Sequence, residues 1–95
     1  MVVSMIQLIV ELPDVTSIKE KRKIVKSLKE RIRVKYRISA AEVDLLDSLS
    51  FAQIGGAVVS NSRTFGEGVM QKVLRFVEDA VPGRLQDVSI TSEIF

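Results

Sequence analysis

The opening of the chain narrows the fold most: a run of apolar residues repeating every second position, followed at once by a helix-capping signal. Val2, Ile6, Leu8, Val10 and Leu12 share one side of Val2–Leu12, while Met5, Gln7, Ile9 and Glu11 take the other. A period of two with β-branched residues marks a strand buried on one face. Pro13-Asp14 turns the chain, and Ser17 with Glu20 three residues on has capping-box spacing, in which a hydroxyl and a carboxylate each satisfy a free backbone N–H. A helix of about five turns, to roughly Lys35, is predicted to follow. Its apolar residues Ile18, Ile24, Val25, Leu28 and Ile32 fall on one arc.

The pattern then repeats in a longer form. Arg37–Val43 reads as a second, weaker strand and Asp44–Ser50 as a hairpin loop. Phe51–Ser60 is a third strand, in which Gly55-Gly56 marks a bulge or the close approach of another backbone. Asn61 or Ser62 caps a second helix whose core face includes Val69, Val73, Phe76 and Val77, and Pro82-Gly83 ends it. Asp87–Phe95 alternates again, with Val88, Ile90 and Ile94 expected inward. Residues 1–95 thus form a single domain in the order β-α-β-β-α-β, without an internal linker. This order predicts an α+β, ferredoxin-like fold: a four-stranded antiparallel sheet, strand order 4-1-3-2, with two helices on one face and right-handed βαβ crossovers.

Composition excludes whole classes of chemistry. The 95 residues contain no Cys and no His. Disulfides, thiolate nucleophiles, the commonest transition-metal ligand and Ser–His–Asp catalysis are therefore out of reach. No enzymatic activity and no cofactor are expected. Met5–Val10, the most apolar stretch, is broken by Gln7 and falls far short of the ~20 residues of a membrane helix. With no basic, signal-like leader at the start, a cytoplasmic protein without a membrane partner is expected.

Segments of this chain resemble the YlxP-like family of small bacterial proteins. They are the run Ser17-Ile18-Lys19-Glu20-Lys21-Arg22-Lys23-Ile24-Val25-Lys26-Ser27-Leu28-Lys29-Glu30-Arg31, then Ala41-Glu42-Val43-Asp44, Gly55 with Ala57-Val58-Val59-Ser60-Asn61, and Val73-Leu74-Arg75-Phe76-Val77-Glu78. The resemblance implies a ferredoxin-like fold and a cytoplasmic protein with no established enzymatic activity, encoded among translation genes and suspected of a ribosome- or RNA-associated role. One loop departs from the family pattern. Leu45, Leu46, Leu49 and Phe51 stand where relatives carry a polar, Trp-containing segment, so no function is carried over to it.

The charge is distributed very unevenly. Between Lys19 and Arg37 ten basic residues face only Glu20 and Glu30, giving +8, whereas the rest holds four bases against ten acids, giving −6. On a helical wheel Lys19, Arg22, Lys26, Lys29 and Arg33 step by three and four residues into one ridge about 21 Å long, with Lys23 beside it. Such a ridge suits the phosphates of RNA or the ribosome, contacted without reading sequence. The competing readings are an oligomerising scaffold docking an acidic protein, pairing with the chain's own acids, and a plainly solvated face. Lys21 falls inside the apolar arc and is expected to snorkel outward from the first turn, as is Lys35 at the other end.

Other candidates carry less. Stacking of bases on the sheet, as in an RRM, needs aromatic residues on the central strands; Met5, Gln7, Ile9, Gln53, Gly55 and Ala57 stand there instead. That open face, or a sheet edge, is better suited to a homodimer. Glu42, Asp44 and Asp47 are a small acidic group, more in keeping with solvated side chains than with a Mg²⁺ site. Gly66-Glu67-Gly68 lacks the third glycine of a dinucleotide loop and reads as structural. Arg63 is placed to add a phosphate contact at the start of the second helix.

Overall fold

In the computed structural model, which describes residues 1–95, the elements are β1 (Val2–Glu11), α1 (Ile18–Tyr36), β2 (Ser39–Asp44), β3 (Phe51–Ser60), α2 (Arg63–Ala80) and β4 (Leu85–Ile94). The strands form one antiparallel sheet in the order β2-β3-β1-β4, which is the predicted 4-1-3-2 order read from the other edge. This is the ferredoxin-like βαββαβ arrangement. β1 sits centrally and pairs with β3 along its whole length, from Val2 opposite Ser60 to Glu11 opposite Phe51.

The alternation in β1 points Val2, Ser4, Ile6, Leu8 and Val10 toward the helices, and all five are buried. Val25, Leu28 and Ile32 of α1 meet Met70, Val73 and Val77 of α2 over them in one apolar cluster. Each such aliphatic side chain contributes roughly 1.5–3 kcal/mol on full burial.

Capping follows the sequence with one difference. Ser17 Oγ accepts from Glu20 N at 3.1 Å, but the Glu20 carboxylate reaches Thr16 N at 3.3 Å rather than the cap residue itself. Ser62, not Asn61, caps α2, accepting from Phe65 N at 3.2 Å.

Ser4 is a buried hydroxyl in this core, and its Oγ lies 2.8 Å from Ser92 Oγ, which in turn donates to Glu67 at 2.5 Å. The chain of bonds satisfies groups that would otherwise be orphaned inside. Gly66 packs directly on Ser4, leaving no room for a side chain between α2 and β1.

Three expectations are corrected. β2 begins at Ser39, because Arg37 closes α1 in the left-handed region (φ 53°) with its N–H bonded to Arg33 O, and Ile38 then drops into the core. Val88 and Ile94 of β4 are exposed, while Ile90, with Leu85 at the start of the strand, packs inward in part. β4 is an edge strand, and a bulge opposite Gln7–Ile9, with Asp87 at φ 50°, displaces its first half from regular pairing. Finally, Val69 and Phe76 pack against the core as expected but are only partly buried, while Met70 is fully buried within it.

Candidate nucleic-acid interface

The ridge forms as the spacing requires, because nineteen residues of uninterrupted helix hold Lys19, Arg22, Lys26, Lys29 and Arg33 in register. Lys19, Arg22, Lys23, Lys26 and Arg33 are exposed and Lys29 is half-buried. No carboxylate neutralises them. The chain has two ion pairs, Lys21–Glu42 and Arg63–Glu67, and neither involves a ridge residue. Glu30, four residues after Lys26, does not pair with it.

Arg33 is the one ridge residue with a fixed partner. Its Nε donates to Ala40 O at 2.9 Å, and Nη2 reaches the same oxygen. The carbonyl orients the guanidinium against β2 without cancelling its charge. This flank of α1 therefore faces the β2 side of the domain.

The adjoining face of α1 turns toward α2 and carries further cations. The Arg31 guanidinium carbon lies 5.0 Å from the centre of the Phe76 ring, and Lys35 Nζ lies 4.9 Å from it. Lys35 thus lies over aromatic rings, its Nζ also 5.7 Å from the Tyr36 centre, in keeping with the expected snorkelling. Tyr36 and Phe76 meet edge to face at 5.8 Å. Lys72 and Arg75 approach from α2 and line the same valley between the helices. In sequence both belong to the acidic remainder of the chain and Phe76 to the core face; only the apposition of the two helices brings them to Arg31 and Lys35.

Other sequence candidates are dispersed. Arg63 Nε points back along its own helix to Glu67 at 3.9 Å. Asp44 Oδ1 accepts from Leu45 N at 2.8 Å and Glu42 turns inward, so the acidic group does not converge on a common point.

Lys21 corrects the sequence reading. It is 1% exposed, and its ammonium does not snorkel: Nζ donates to Leu45 O at 2.6 Å and sits 3.1 Å from Glu42 Oε2. Leu45 has φ 61°, and its carbonyl also accepts from Ser48 N at 3.0 Å. A left-handed leucine costs of order 1–3 kcal/mol, and it persists where its surroundings over-determine it. Lys21 is therefore a brace for the β2–β3 connection, its charge taken up by Glu42.

Fold and surface together define a small ferredoxin-like domain with a doubly cationic helical layer. The family model described as "Protein of unknown function (DUF503)" matches residues 3–90, and the chain belongs to that family. It is similar to "Uncharacterized protein YlxP" of Bacillus subtilis (strain 168), with 35% identity over 65 residues, covering 68% of this chain and 71% of the relative.

Proposed function

We propose that this protein is a non-catalytic binding module that holds the phosphate backbone of RNA, free or in the ribosome, along α1. The observation that carries the reading is the unneutralised ridge: Lys19, Arg22, Lys23, Lys26, Lys29 and Arg33 stand on one helix with no carboxylate partner. Self-balanced helix faces place Glu four residues from Lys, gaining a few tenths of a kcal/mol per pair. Here like charges neighbour one another instead, an arrangement that an external polyanion relieves. Contacts of this kind position a nucleic acid without reading its bases.

A salt titration tests the proposal. Affinity for generic RNA should fall with a log–log slope of roughly −0.7 to −0.9 per phosphate contact, so roughly −4 to −5 for the six ridge cations. Substituting Lys19, Arg22, Lys26 and Lys29 by Gln should remove most of that slope and weaken binding alike for all RNA sequences. An absence of binding at low salt, or a slope near zero, overturns the reading and favours a scaffold docking an acidic protein surface.

A further inference from the structure

We infer that the valley between α1 and α2 seats an unpaired nucleobase, so that the RNA bound here is single-stranded. The inference rests on the phosphate-binding reading and adds to it a second subsite beside the ridge, on the side of α1 that turns toward α2. The valley includes a groove of about 570 Å³ whose apolar residues are Val34 and Phe76, within the roughly 300–1,000 Å³ of small-ligand sites. A neighbouring hollow of about 520 Å³ continues it past Lys72 and Arg75.

Three features select a base. First, the groove pairs an aromatic floor with a cationic rim: Lys23, Lys26, Arg31, Lys35, Lys72 and Arg75 face only Glu30 and Asp79. An acidic peptide would complement the rim and leave the ring unused, whereas a nucleotide offers a flat apolar body and a phosphate together. Second, Arg31 already lies over Phe76 at 5.0 Å. Guanidinium planes and phenyl rings are both surfaces on which unstacked bases settle. Third, Lys23 and Lys26 belong to the ridge and also line the groove. A strand whose phosphates follow the ridge can therefore turn a base into the valley without leaving its electrostatic track. In a duplex the base faces are stacked within the helix and unavailable.

Fluorescence anisotropy with three RNA probes of equal charge tests this: a single-stranded oligoadenylate, the same strand with abasic sites, and a duplex. The oligoadenylate should bind roughly tenfold more tightly than the abasic strand, the scale of one stacked base. Phe76→Leu should abolish that difference while leaving the salt slope unchanged. Equal binding of the base-bearing and abasic strands to the unaltered protein overturns the valley subsite and leaves the phosphate ridge standing. Failure of all three probes at low salt overturns both. The comparison of strands on the unaltered protein decides the matter even where a variant folds poorly.

Discussion

Replacing Lys21 with alanine should cost about 3–5 kcal/mol of stability, the loss seen when one partner of a buried ion pair is removed. That is a large part of the 5–15 kcal/mol typical of a domain. The cause is what the substitution leaves behind. Glu42 Oε2 is buried, and the ammonium 3.1 Å away is its only neutralising neighbour. Leu45 O keeps its bond from Ser48 but loses the 2.6 Å bond that holds it from the other side. A second variant separates the pair's charge from its packing. Lys21→Met combined with Glu42→Leu removes both charges, and such exchanges are often neutral or stabilising. Urea denaturation followed by circular dichroism should show a low midpoint for the single substitution and a near-normal one for the double. A single-variant loss under 1 kcal/mol would mean that Glu42 finds water when its partner is gone.

Gly66→Ala should destabilise by about 2 kcal/mol, within the range for overpacked interiors. A methyl group at Gly66 would overlap Ser4 Oγ and stand 2.7 Å from Ser4 Cβ, so α2 would have to lift from β1. The opposing gain, alanine over glycine in a helix, is at most about 1 kcal/mol, and the clash wins. Gly68, two residues on and with nothing within 4 Å, supplies the control. Gly68→Ala should stabilise by up to about 1 kcal/mol. Thermal melts of the two variants should therefore move in opposite directions; a shift of the same sign in both would count against close α2–β1 packing at Ser4.

The parts of the fold that were legible in the sequence are those that local pattern governs. β3 runs over Phe51–Ser60 as read, and α1 stops within one residue of Lys35. Strand order follows from six alternating elements and the need to bury one face of each. Legibility fails where one element decides another's environment. Lys21, inside the apolar arc, reads as a snorkelling lysine near a helix start until Glu42, on the inward side of β2 with Ala40, is brought beneath it. The register of β2 already places Ala40 and Glu42 on one face, so a charged residue beside a buried alanine was the available signal. Val88 and Ile94 keep the alternation of a buried strand, but Val88 follows the bulge and Ile94 is the last residue of the strand, and both are exposed. On the candidate surface, the ridge was readable because it lies on one helix. The valley was not, since Arg31 and Lys35 gain Lys72, Arg75 and Phe76 only through the packing of α1 beside α2.

The solitary charges along α1 have a cost that falls on the free molecule. Each like-charged pair three or four residues apart opposes the helix by a few tenths of a kcal/mol. Four such steps run through Lys19, Arg22, Lys26, Lys29 and Arg33. The helix is in this sense frustrated in dilute buffer, its local electrostatics at odds with the fold that its capping and core demand. Counter-ions ease the conflict by screening, and any multivalent anion that prefers the folded chain eases it further. The layer proposed for binding is thus also the one whose charges are least balanced within the free chain.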